Sequence, residues 1–136
     1  LHGALVFTAD LIRELDMPLR VETVTASSYR GKAKRPNELD VRSDALEHIE
    51  GQDVLVVDDI LDTGNTMSKV IADVKRFGPK SVRSAVLLDK PSRREVDITS
   101  EFIGFEIPDL FVIGYGLDYD GRYRNLPDIL SLPTDD

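Results

Sequence analysis

An α/β fold built on a central parallel sheet flanked by helices is what the sequence predicts, and three segments predict it. Val54 to Val57 (VLVV) is apolar at every position, as a strand covered by helices on both faces must be. Met67, Val70, Ile71, Val74 and Phe77 fall at i, i+3, i+4, i+7 and i+10, the stripe of a helix packed on one side. Ser81 to Leu88 (SVRSAVLL) is a second buried run. Strand, helix and strand at this spacing make a right-handed βαβ unit.

The other elements follow in order. Leu5, Leu11, Ile12 and Leu15 set a helical stripe across Ala4 to Leu15, which Met17-Pro18 ends. Leu19 to Ala26 (LRVETVTA) is rich in β-branched residues and reads as a strand. Ser28 to Asp40 has three apolar residues in thirteen, with Gly31 and Pro36, a loop longer than compact domains keep without a reason. Thr66 to Phe77 is the helix of the βαβ unit, stopped by Gly78-Pro79. From Phe102 to Leu132 short strand-like pieces are broken by Gly104, Pro108, Gly114, Gly116 and Gly121, which suggests a small layer appended over one edge of the sheet.

Composition narrows the function. The 136 residues fit one domain. Seventeen basic against twenty-five acidic residues give a net charge of −8, which argues against holding a nucleic-acid backbone or an anionic membrane. With no cysteine, disulfides, thiolate metal sites and cysteine nucleophiles are excluded together. No apolar run reaches membrane-spanning length and no signal peptide opens the chain, so a cytoplasmic location is the expectation. Leu1-His2-Gly3 in place of an initiator Met reads as a cut inside a larger domain.

The chemistry concentrates in VLVVDDILDTGNT, Val54 to Thr66. Asp58, Asp59 and Asp62 lie within five residues at the carboxyl end of a buried strand, where open α/β sheets bind ligands. Thr63, Gly64, Asn65 and Thr66 then start a helix. Their backbone N–H groups and hydroxyls, with the helix dipole, suit a phosphate monoester. Carboxylates and phosphate repel each other, so the two groups take separate jobs: Asp58 and Asp59 face ribose hydroxyls and a Mg2+, while the TGNT turn takes the phosphate. Taken singly, each residue is as well read as a strand-end cap or, for Thr66, a helix N-cap. The whole string is not.

VVDDILDTGNT resembles the phosphoribosyl-diphosphate (PRPP) signature of the type I phosphoribosyltransferases. On its own that signature leaves orotate, adenine and uracil enzymes and regulatory proteins open. LHGALVFTADLIREL, SSY, LLDKPSRR and FIGFEIPDLFVIGYGLDYDGRYRNLPDI resemble the first loop and helix, lid start, purine-reading lysine region and hood of the hypoxanthine-guanine branch. The likeness runs from Leu1 to about Leu130. It implies the type I phosphoribosyltransferase fold, a parallel sheet flanked by helices with a small C-terminal hood at about 102–132 and a mobile lid at about 28–40. It also implies a single domain lacking its N-terminal strand and helix.

The resemblance implies roles residue by residue. A purine displaces pyrophosphate from C1′ of PRPP through an oxocarbenium-like transition state. Asp58 and Asp59 match the pair that holds the ribose hydroxyls and Mg2+, although the branch commonly carries Glu at the first. Asp62 matches the general base near purine N7, and Thr63, Gly64, Asn65 and Thr66 the 5′-phosphate cradle. Lys90 matches the donor to the purine 6-oxo group, Phe111 the ring that stacks on the base, and Val112 the backbone that reads its pyrimidine edge. Asp118 matches a second Mg2+ contact beside the purine site. Arg124 matches a pyrophosphate-binding arginine, and His2 and Gly3 match the pyrophosphate loop, where Lys is common in place of His2. Ser28 and Tyr29 match the start of the lid. Arg30, Lys32, Lys34 and Arg35 put +4 into six residues of that lid against −12 on the other 130, which suits the covering of a polyphosphate and the exclusion of water.

Plainer readings stand beside these: Asp62 as a turn former, Lys90 as a solvated loop lysine, Phe111 as core, Asp118 and Arg124 as surface charges. The function implied is purine salvage, giving IMP or GMP and pyrophosphate, with PRPP and a 6-oxopurine as partners and a homodimer or homotetramer as the assembly. A regulator that senses PRPP or nucleotides on the same fold is the alternative.

Overall fold

The computed structural model describes residues 2–24 and 46–133. Helix α1 (Leu5–Glu14) is followed by strand β1 (Asp53–Leu61), helix α2 (Asn65–Lys75) and strand β2 (Ser81–Asp89). A 3-10 turn at Pro91–Arg93 leads to β3 (Phe102–Glu106), and two short strands, β4 (Val112–Ile113) and β5 (Leu130–Ser131), complete the order. β1, β2 and β3 form one parallel sheet in that order, and β4 pairs antiparallel with β5 in a second.

The expected βαβ unit is present. Asp53 pairs with Ser81 and Leu61 with Asp89, so β1 and β2 run in register for their full length. β2 is central, and its residues from Ser84 to Asp89 are buried. On one side of the sheet, Val70 and Val74 of α2 pack with Val54, Val56 and Val82, while Met67 joins Leu61 and Val86. Leu87, Leu88 and Leu117 form the other cluster with Phe7, Ile60 and Val112. The C-terminal layer and α1 therefore meet at this cluster, around the carboxyl ends of β1 and β2.

Three expectations change. β1 continues four residues beyond Val57, to Leu61, so Asp58 and Asp59 lie within the strand rather than beyond it. Cross-strand pairing with Val86 and Leu88 holds this polar stretch extended. Residues 19–24 are not a strand: they carry no regular structure and lie largely exposed, because β-branched residues need a neighbouring ladder and among the described residues β1 pairs only with β2. Phe102–Glu106 belongs to the parallel sheet rather than the appended layer, since Ala85 pairs with Phe102 and Asp89 with Glu106. The proposed lid, with Ser28 and Tyr29, lies outside the described residues. No helix among the described residues is long and apolar enough to cross a membrane.

Candidate active site

The second half of β1 carries Asp58 and Asp59, whose carboxylates fold back on the strand. Asp59 N donates to Asp58 Oδ1 at 2.9 Å, and Ile60 N to Asp59 Oδ1 at 2.8 Å. Burial, reinforced by the negative charge of Asp59, pushes the Asp58 carboxyl up to about 7. The first loop lies directly against this pair: a Cβ on Gly3 would run into the Asp59 carboxylate. Gly3 touches a second element on its other side. Gly116 has φ +96°, and a Cβ there would stand 2.6 Å from the Gly3 carbonyl oxygen. Neither position has room for a side chain.

Arg124 and Asp118 close this cluster. Arg124 Nη1 donates to the Gly116 carbonyl at 2.8 Å, and its Nη2 stands 3.2 Å from Asp118 Oδ1. Asp118 Oδ2 accepts from Gly121 N at 2.8 Å. The structure thus draws Gly3, Asp59, Gly116, Asp118 and Arg124 together, and it makes Asp118 and Arg124 an ion pair rather than independent surface charges. His2 is exposed in the turn before α1. Among the described residues no three His, Asp or Glu side chains converge to cage an ion.

After Leu61 the chain leaves the sheet through Asp62 and Thr63 into Gly64, whose φ of +87° starts α2. Gly64, not Thr66, is the N-cap, and no side chain caps the helix. Apart from Asn65 N, its first-turn N–H groups are therefore left to an anion. Thr63 Oγ1 accepts from Asn65 N and Nδ2, both at 3.3 Å. A Cβ on Gly64 would meet Ile98 Cγ2 at 2.5 Å and Val96 Cγ2 at 2.9 Å, so the loop is tight from behind as well.

Lys90 is 7% exposed, which removes its reading as a solvated lysine. Its Nζ donates to the Leu110 carbonyl at 2.6 Å, which brings the ammonium to the residue preceding Phe111. Phe111 is half exposed and not core. Its ring meets Tyr119 edge to face at 5.6 Å and 89°. Val112 is held by antiparallel pairing with Ser131.

Sequence reasoning missed three participants. Arg93 Nε donates to Asp62 Oδ1 at 2.8 Å. Arg94 donates to the Asp62 carbonyl and pairs with the Asp89 carboxylate. The signal available was the Arg-Arg doublet three residues after Lys90, which gives the charge but not its target. Tyr119 had no signal beyond its aromatic character.

Residues 1–120 match the family model of the phosphoribosyl transferase domain. The hypoxanthine phosphoribosyltransferase of Salmonella typhimurium is 51% identical over 127 residues, which are 93% of this chain and 71% of that protein. This chain belongs to the phosphoribosyltransferase family. A hypoxanthine-guanine phosphoribosyltransferase of Bacillus subtilis is 45% identical with the same shares covered. The crystal structure of a Staphylococcus aureus hypoxanthine phosphoribosyltransferase superposes with a TM-score of 0.87 at 41% identity, covering 98% of this chain and 72% of that one. The likeness is therefore to the hypoxanthine-guanine branch of the phosphoribosyltransferases, and the type I phosphoribosyltransferase fold expected from the sequence is the fold observed.

Proposed function

We propose that this enzyme transfers the 5-phosphoribosyl group of PRPP to hypoxanthine or guanine, giving the nucleoside 5′-monophosphate and pyrophosphate. The observation that carries the reading is the placing of an anion-ready helix start and two β1 carboxylates on one parallel strand end, in a chain so similar to enzymes of that name. The regulatory alternative finds no support, since the relatives carry enzyme names.

In this reading the Gly64 turn and the first N–H groups of α2 receive the 5′-phosphate, with Thr63, Asn65 and Thr66 around it. Asp58 and Asp59 hold the ribose hydroxyls. Purine N9 attacks C1′ as the bond from C1′ to the pyrophosphate oxygen breaks, and Asp62 accepts the proton leaving N7. Lys90 Nζ exchanges the Leu110 carbonyl for the purine 6-oxo oxygen, Phe111 stacks on the ring, and the Val112 backbone reads the pyrimidine edge. Arg124, with His2 and Gly3, receives the pyrophosphate. Ser28 and Tyr29 open the lid, by the sequence reading alone.

The residues fit a magnesium ion. Two adjacent carboxylates, one pushed up by burial and then by its neighbour's charge, are relieved by a divalent cation, and Mg2+ is ordinarily held by one or two carboxylates with substrate oxygens and water. Asp58 and Asp59 would hold it, with Asp118 reaching it through water, and it would supply neutralisation of charge on the leaving pyrophosphate. One phosphoribosyltransferase domain with its hood after β3, a homodimer or homotetramer, a cytoplasmic location and no nucleic-acid partner complete the proposal. The exposed Phe102, Ile103 and Phe105 on the edge strand support the assembly.

A spectrophotometric assay with Mg-PRPP and hypoxanthine, guanine or xanthine tests the reading. Turnover of hypoxanthine or guanine is expected, and no turnover of any base overturns it.

A further inference from the structure

We propose that Arg93 is a positioning residue for the reaction: its guanidinium holds the Asp62 carboxylate where that group takes the purine proton, on a seam joining the base side of the site to the phosphate side. The inference rests on the function proposed above.

The seam is a run of paired contacts between two segments some thirty residues apart in sequence. Lys90 N donates to the Leu61 carbonyl at 2.9 Å, and Glu95 N to the Thr63 carbonyl at 2.9 Å. Between these, Arg94 donates to the Asp62 carbonyl. Asn65 Nδ2 donates to Glu95 Oε2 at 2.8 Å and continues the seam into the phosphate cradle. These bonds fix the backbone of residue 62, but among the described residues only Arg93 hydrogen-bonds its carboxylate.

That contact is directional. Nε meets Oδ1 at 2.8 Å, and among the described residues Oδ2 accepts from no protein donor, so one oxygen is anchored and the other is left for substrate. The terminal torsion of an aspartate is broad, and the single bond to Oδ1 narrows it. Arg93 is itself held from the opposite side, where Nη1 stands 3.5 Å from Asp109 Oδ2, one residue before the carbonyl that Lys90 engages. A planar guanidinium spans both carboxylates, whereas a lysine ammonium serves as a point charge. Arg93 and Asp62 are each nearly half exposed, so replacing the arginine strands no buried charge.

The test measures steady-state rates for Arg93→Gln, Arg93→Lys, Asp62→Asn and the Arg93→Gln/Asp62→Asn double variant, with Tm for each. Arg93→Gln is expected to lower kcat by roughly ten- to a hundredfold, as loss of orientation does, with KM for PRPP unchanged within about twofold and Tm nearly unchanged. Arg93→Lys should recover part of the loss. In the Asp62→Asn background, Arg93→Gln should cost nothing further, because two groups acting as a unit are not additive. An unchanged kcat in Arg93→Gln, a loss carried by KM alone, or an equal loss in both backgrounds would overturn the proposal. Failure of the function itself looks different, since the unmodified enzyme would then turn over no 6-oxopurine.

Discussion

Arg94 and Arg93 are adjacent in sequence, yet their losses would register in different measurements. Arg94 pairs with Asp89, which is 7% exposed at the end of the central strand, and removing one partner of a buried pair leaves the other charged and desolvated. Arg94→Ala is expected to destabilise the protein by about 3 kcal/mol, read as a lowered urea midpoint. Asp62→Asn should leave that midpoint nearly in place and lower kcat by roughly two to four orders of magnitude, the scale of general acid–base catalysis, with little change in PRPP affinity. Rates equal to those of the unmodified enzyme would remove Asp62 from the mechanism. Asp58 to Thr66 could be singled out in the sequence because their chemistry is carried by residue types in an unbroken string. Arg93 and Arg94 could not, because a side chain's target across a turn depends on backbone directions that no local pattern encodes. Lys90 falls between: its burial follows from the 3-10 turn after β2, which leads the chain back beside Leu61.

Elements were legible where both faces of a strand or one stripe of a helix were apolar. β1, α2 and β2 met that condition and were found within a few residues of their ends. The strand expected at Leu19–Ala26 does not form over its described residues, 19–24, because β-branched composition speaks of pleat and not of partner. Phe102–Glu106 was misplaced for a related reason: all five residues are exposed, so nothing in their pattern marks membership of the parallel sheet. What seats β3 is partly Glu101 just before it. Its carboxylate accepts from Ser84 N at 2.6 Å and Ser84 Oγ at 2.9 Å, and the Ser84 N–H holds Glu101 below the usual glutamate range. A carboxyl lowered on folding adds stability above its unfolded value and loses it as pH falls through the folded one. Tm is therefore expected to fall more steeply below about pH 4.5 in the unmodified protein than in Glu101→Gln, and identical slopes would show that the contact contributes nothing.

At the scale of the molecule, the site is assembled from four places: the first loop, the end of β1 with the start of α2, the 90–95 turn and the C-terminal layer. A ligand bridging them should stabilise the whole fold by mass action, by about 2.7 kcal/mol at a hundred times its Kd. Differential scanning fluorimetry with IMP and Mg2+ should show Tm rising with the logarithm of IMP concentration. A flat response would mean that the four parts do not bind one ligand. The +4 of residues 30–35 against −12 on the rest was plain in the sequence, a sum over residue types. The meeting of Gly3 with Gly116 was not, because glycine carries no side chain to advertise a contact and the two lie far apart in the chain.

The seam between residues 61–65 and 90–95 also has a consequence for chain length. Every one of its bonds joins positions 29 to 32 apart, and they follow one another with almost no slack. A surface loop absorbs an extra residue at small entropic cost. A residue inserted after Lys90 would instead carry Arg93, Arg94 and Glu95 past their partners at once, leaving the spacing of this short stretch more constrained than its exposed and polar composition suggests.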